Sequence, residues 1–207
     1  MKRIISLNGE WKMKALEEQD WLPARVPGSV YTDLLAAGRM EDPFYRDNEY
    51  AAFDLMEKDY VYVKSFSLSD EGKKSPSLDL VFEGLDTVAD VSLNGRLLLR
   101  ADNMHRTWRA DIRSFAKAGE NVLKVLFYSP NRAARKAFEK YHTCGTPDAL
   151  DGFTSIRKAH CMYGWDWGPR LPDAGIWRDV KIEITDRARI DSVLVRQKHE
   201  DSAGTGL

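Results

Sequence analysis

Apolar side chains along this chain recur mainly at every second position, the spacing that lines one face of an extended strand. The clearest case is 176–184, where Ile176, Arg178, Val180, Ile182 and Ile184 alternate with Trp177, Asp179, Lys181 and Glu183. One face is nearly all aliphatic and the other mostly charged, which predicts a half-buried strand. Residues 60–68 read Tyr-Val-Tyr-Val-Lys-Ser-Phe-Ser-Leu, rich in β-branched and aromatic side chains, and predict another. Leu78, Leu80 and Phe82 alternate in a third. The runs Val88 to Leu93 and Leu97 to Leu99 flank Asn94-Gly95. That pair favours a two-residue hairpin turn, because both central positions need positive φ. Val122 to Tyr128, preceded by the turn-like Ala118-Gly119-Glu120-Asn121, and residues 190–196 complete the predicted strands.

Helical spacing is confined to two short stretches. Ser29 follows Pro27-Gly28 and is placed to cap a helix over 30–37, with Val30, Leu34 and Leu35 on one side and Gly38 ending it. Residues 131–140 predict the second. Many short strands and one or two short helices make an all-β antiparallel sandwich. There is no internal repeat and no low-complexity linker, so one domain is expected, with a polar tail from Glu200 to Leu207 that frays.

Charge and length narrow the classes. Lys and Arg total 31 against 32 Asp and Glu, a net charge of −1. A dedicated nucleic-acid binder would carry a basic excess. No apolar run approaches the roughly 18 residues of a membrane-spanning helix. A closed eight-stranded α/β barrel typically takes about 250 residues, more than the 207 of this chain. Cys144 and Cys161 form neither a disulfide framework nor a zinc pattern, even with His142 and His160 close in sequence. They are expected to be ordinary buried or half-buried thiols, and no metal is expected. The N-terminus turns polar too soon for a secretory signal, so a reducing, cytoplasmic location is the default expectation.

The unusual stretch is 157–178, which holds three of the six tryptophans and two of the eight prolines. Trp165 and Trp167 flank Asp166, and Gly168-Pro169 follows. A carboxylate stiffened by indoles and a proline is a fixed acceptor for sugar hydroxyls, and aromatic surface suits the apolar face of a pyranose. The same residues also fit a bland reading, in which the indoles fill the core and Asp166 caps a turn. Asp173 and Asp179 read as turn and surface residues. Arg157 and Lys158 either compensate Asp166 or lie on the surface. No supported carboxylate pair, nucleophile elbow, phosphate loop or His-Glu-x-x-His motif is present, so no residue is assigned a catalytic role.

At this stretch the chain resembles a known family. Leu7-Asn8-Gly9-Glu10-Trp11, Val26-Pro27-Gly28-Ser29-Val30, Asp42-Pro43-Phe44-Tyr45-Arg46-Asp47-Asn48-Glu49, Phe82-Glu83-Gly84-Leu85-Asp86-Thr87 and Val91-Ser92-Leu93-Asn94-Gly95 occur in order. Trp165-Asp166-Trp167-Gly168-Pro169 and Gly175-Ile176-Trp177 follow. Together, from about residue 7 to 184, they resemble the N-terminal domain of β-mannosidases in glycoside hydrolase family 2. The resemblance implies a galactose-binding-domain-like jelly roll over 1–188, with 189–207 as the start of an immunoglobulin-like domain or a frayed tail. It implies a retaining exo-β-mannosidase parent acting on terminal β-linked mannose, whose two catalytic glutamates stand on an α/β barrel absent from this chain. Alone, the chain is expected to be inactive. Asp166 resembles the aspartate that hydrogen-bonds the terminal sugar. Trp165 and Trp167 shape that loop or stack on the sugar, and Asn48 approaches the site or merely forms a turn. Partners are then a β-mannoside substrate and the barrel, with no cofactor, nucleic acid or membrane. The alternatives are a stand-alone carbohydrate-binding module, or the same domain from a β-galactosidase, β-glucuronidase or exo-β-glucosaminidase.

Overall fold

The computed structural model describes residues 2–165, 168–186, 190 and 192–197. In chain order its strands are β1 (Lys2–Ser6), β2 (Gly9–Ala15), β3 (Leu22–Val26), β4 (Tyr60–Leu68), β5 (Ser77–Phe82), β6 (Val88–Leu93), β7 (Arg96–Asp102), β8 (Trp108–Asp111), β9 (Gly119–Phe127), β10 (Tyr163–Trp165), β11 (Gly168–Arg170) and β12 (Val180–Thr185). They form a six-stranded sheet in the order β3-β2-β4-β9-β6-β7, a four-stranded sheet in the order β1-β12-β5-β8, and the separate hairpin β10–β11. All strand pairings between these elements are antiparallel.

Alternation builds both layers. Along β9, Leu123, Val125 and Phe127 are buried while Val122 and Lys124 face out. Opposite them on β4, Tyr60 pairs with Phe127 and Tyr62 with Val125, and the Tyr62 and Phe127 rings meet edge-to-face at 5.8 Å. Leu78, Leu80 and Phe82 of β5 and Val180, Ile182 and Ile184 of β12 supply the other sheet's contribution to the same core. The β6–β7 turn has φ of 52° at Asn94 and 79° at Gly95, as that pair predicts.

Two expected strands change. The strand predicted over 176–184 begins only at Val180. Before it, the backbone is used elsewhere: Ile176 O accepts from Gly28 N–H at 3.0 Å, and Gly175 bridges to Asp86. The charged face of β12 is also less exposed than alternation implies. Glu183 stands opposite Asp79 and is buried, because Arg109 donates to both, at 2.7 and 3.0 Å. The predicted strand 190–196 is not formed. Its described residues have no regular structure, and Ile190, Val193, Leu194 and Val195 are each at least 75% exposed. A strand needs a hydrogen-bonded neighbour, and among the described residues no strand is paired with these.

Helix α1 (Val30–Ala36) starts at Ser29, whose hydroxyl accepts from Thr32 N–H, and α4 (Pro130–Lys140) starts at Ser129. Two further short helices, α2 (Asn48–Leu55) and α3 (Asp70–Lys73), have too weak an apolar stripe to be read from spacing; α2 buries Ala52 alone among its residues. Cys144 and Cys161 are free and exposed, not buried as expected. Cys144 follows α4 in an irregular loop and Cys161 lies in the turn His160–Met162, both away from the main core. No helix among the described residues is long and apolar enough to cross a membrane.

Candidate functional site

A cleft of about 400 Å³ lies between the turn that leads into α2 and the β10–β11 hairpin. The turn contributes Pro43, Phe44 and Arg46, the first turn of α2 contributes Glu49, and the hairpin contributes Trp165, Gly168, Pro169 and Arg170; Asp148 closes one side.

The turn is shaped by its own polar groups. Asp42 accepts from Phe44 N–H through its carboxylate at 2.9 Å, and its carbonyl accepts from Tyr45 N–H at 3.1 Å. Asn48 donates its Nδ2 to that same carbonyl at 2.9 Å. Arg46 takes the left-handed conformation, φ 55°, at the bend. These bonds push Phe44 outward to 75% exposure. Asn48 is therefore a turn-forming residue; it is Arg46 and Glu49 on either side of it that line the cleft. Behind it, α2 is fastened to α4: Asn131 Nδ2 donates to Phe53 O and to Glu57, and Arg135 forms two 2.7 Å bonds to the Glu57 carboxylate. That guanidinium holds the Glu57 carboxyl below the usual carboxylate range.

In the facing hairpin, Tyr163 pairs with Arg170 and Trp165 with Gly168. The two residues joining the strands, Asp166 and Trp167, lie outside the described residues. Trp165 is 66% exposed, so its indole does not fill the core. Tyr163 does the opposite and enters a small cluster with Ala134 and Ile156, beside Phe153. The hairpin thus rests on α4 and the loop after it, apart from the main core.

Its neck is held by polar anchors that spacing along the chain does not reveal. Lys158 is neither on the surface nor free. Its side chain has no exposed area, and Nζ donates to Asp86 Oδ2 at 2.5 Å and to the Asp173 carbonyl. Asp86 and Gly175 exchange two backbone hydrogen bonds of 2.9 Å. Gly175 has φ of 153°, and a Cβ there would stand 2.7 Å from Ser29 Cα, so the loop lies directly against the start of α1. Asp173 is not a plain turn residue. Its Oδ1 accepts from Tyr31 N–H at 3.1 Å and Ala174 N–H at 2.8 Å, which satisfies a donor in the first turn of α1. Burial pushes its carboxyl up to about 6, against the opposing pull of those hydrogen bonds and of Lys158. Asp179 is exposed as expected and accepts from Asn8 Nδ2 at 2.9 Å.

The cleft therefore combines aromatic surface (Phe44, Trp165) with cations (Arg46, Arg170) and anions (Glu49, Asp148). Such a surface offers apolar contact together with hydrogen-bond donors and acceptors, which a polyhydroxylated ring uses at once. Arg46 and Arg170 stand inside the segments singled out in the sequence; Asp148 had no local signal.

Comparison with known proteins bears on this arrangement. The chain matches the family described as glycosyl hydrolase 2 galactose-binding domain-like over residues 11–178. The β-mannosidase of Bos taurus is 38% identical over 187 residues, 86% of this chain and 21% of that protein. β-Mannosidase B of Emericella nidulans is 38% identical over 186 residues, 86% of this chain and 22% of that one. The crystal structure of the β-D-mannosidase from Dictyoglomus thermophilum superposes with a TM-score of 0.89 at 36% identity, over 95% of this chain and 24% of that chain. The Amycolatopsis orientalis exo-chitosanase, at 20% identity, covers 87% of this chain and 20% of its own with a TM-score of 0.63, a likeness of fold. The chain spans about a fifth of the length of the curated relatives it matches.

Proposed function

The chain belongs to the glycosyl hydrolase 2 galactose-binding domain-like family, and on that premise we propose that it is the non-catalytic N-terminal domain of a retaining exo-β-mannosidase. The enzyme would remove terminal β-linked mannose from the non-reducing end of manno-oligosaccharides. In this reading the jelly roll spans 1–188, and 189–207 are the start of an immunoglobulin-like domain or a tail. The observation that carries this reading is the hairpin that presents Trp165 and Arg170 over a cleft of mixed charge. Relatives named β-mannosidases, at 36–38% identity, favour mannose over the other sugars of the family.

In this reading the nucleophile and the acid/base are two glutamates on a barrel beyond the chain, with the carboxyl spacing of about 5–5.5 Å used by retaining glycosidases. The domain packs on that barrel and closes one side of its pocket. Asp166 accepts hydrogen bonds from the terminal sugar, Trp165 and Trp167 shape its loop, and Asn48 sets the facing turn. Two exposed free thiols suit a reducing compartment, so the proposed location is cytoplasmic.

Asp166→Ala in the full-length enzyme should lower kcat/KM at least about tenfold, as for one lost hydrogen bond to a charged group, with unchanged folding. Wild-type kinetics in a folded variant would remove Asp166 from the site. The 207-residue chain alone should release no p-nitrophenol from p-nitrophenyl β-mannoside. Calorimetry of the chain with mannobiose should show no binding; micromolar affinity would make it a stand-alone carbohydrate-binding module instead.

A further inference from the structure

Lysine is almost never fully buried unless it is paired, and the two acceptors of Lys158 belong to different parts of the molecule. Asp86 lies between β5 and β6, in the sandwich. Asp173 lies 15 residues further along Lys158's own segment. Between Lys158 and Asp173 the chain leaves the sandwich, makes the His160–Met162 turn and the β10–β11 hairpin, and returns. The ammonium therefore closes the neck of this excursion and fixes the neck to the sandwich in one step. Neighbouring bonds agree with that role: Met104 N–H donates to Arg157 O at 2.9 Å, and Ala159 N–H to Met104 Sδ at 2.9 Å. Beyond the neck, only Tyr163 of the hairpin strands is a large buried side chain, and it enters the small satellite cluster.

We propose that Lys158 is a positioning residue for the sugar site, its buried ammonium clamping the hairpin neck so that Trp165 and Arg170 are held facing Pro43, Phe44 and Arg46 across the cleft. A buried ion pair is a poor source of net stability, because desolvation offsets the attraction. Its advantage here is direction. An ammonium that must meet a carboxylate and a carbonyl together fixes both in space, because each bond is directional and strong in a buried setting. An apolar side chain would fill the space without fixing the register of the neck.

The clamp is tested on the 207-residue chain by hydrogen exchange with mass spectrometry; the kinetic arm alone rests on the proposed function. Lys158→Met leaves Asp86 buried without its cation and should lower Tm by about 10 °C. Lys158→Met with Asp86→Leu removes both charges and should regain most of that loss. In the double variant, amides of 160–172 should exchange at least about tenfold faster, while Tyr60–Leu68 and Gly119–Phe127 keep most of their protection; the single variant, destabilised as a whole, should lose protection in both. A double variant with native protection over 160–172 overturns the clamp. If neither variant folds, the native chain decides: Gly175 and Leu171 amides should be protected far above exposed loops, and loop-like rates there overturn the proposal. In the full-length enzyme the double variant should lower kcat/KM about tenfold, and adding Asp166→Ala should cost little more, because both act through one segment. Full additivity would refute action through Asp166. An Asp166→Ala variant with normal kinetics would instead sink the functional reading and leave the exchange result standing.

Discussion

In the sandwich, β9 buries Leu123, Val125 and Phe127 and turns Val122 and Lys124 outward, and β4 meets it residue for residue. In the segment 157–176 the anchoring groups are a lysine, an aspartate and a glycine, and they reach Asp86 and Tyr31, far away in sequence. Apolar contacts in the first region are numerous, non-directional and interchangeable in kind. Contacts in the second are few, directional and each without a substitute. The first arrangement makes stability; the second makes a geometry. A hairpin whose side chains must stand at a fixed place while staying exposed needs the second.

The sharpest way to break this contrast is to open a cavity on the sandwich side. Phe82 is fully buried between the sheets. Phe82→Ala should cost about 3–5 kcal/mol, read by urea denaturation, since the packed neighbours collapse only partly. A loss below about 1 kcal/mol would mean that the core is not the uniform stabiliser described.

The same contrast explains what was legible in the sequence. Tyr60–Leu68, the β6–β7 hairpin and the two capped helices α1 and α4 are written in local spacing, because periodicity and capping act over a few residues. Strand β3 was obscured by Pro23, which sits on an edge strand where a missing N–H is tolerated. The strand expected from Ile176 failed because alternation says nothing of backbone partners; Gly28 and Asp86 claimed those groups first. Lys158 reads as a counter-charge to Asp166 or a surface residue until Asp86, 72 residues away, is placed beside it. The Trp-Asp-Trp stretch was visible by resemblance, and its Trp165 stands at a cleft; the bonds that join Lys158, Asp86, Asp173 and Gly175 below it were not legible from spacing.

A second, smaller test uses pH on an anchor. The folded-state pKa of Asp173 is about 6, above the unfolded value of about 3.9. The folded chain therefore holds this proton more tightly. The contribution favours folding below about pH 4 and is lost as pH rises through about 6. Asp173→Asn removes the titration while keeping an acceptor for Tyr31 and Ala174. The stability of the variant relative to the native chain should then be about 1–2 kcal/mol more favourable at pH 7 than at pH 4, from paired denaturant melts. A difference independent of pH would show that the carboxyl does not titrate in this window.

The smallest effect on stability should come from Trp165, on the wall of the cleft. Trp165 leaves about two thirds of its surface in water, so truncating it loses little burial. Trp165→Ala should change stability by no more than about 0.5 kcal/mol, the usual range for a surface position. If the indole shapes the sugar loop, the same change should lower kcat/KM of the full-length enzyme by roughly threefold to tenfold, the weight of one aromatic contact of 0.5–1.5 kcal/mol. The two readouts separate the roles. A large fall in stability would place the ring in the fold, against its exposure. Unchanged stability with unchanged kinetics would leave Asp166 to act without it, and would confine the aromatic wall of the cleft to Phe44.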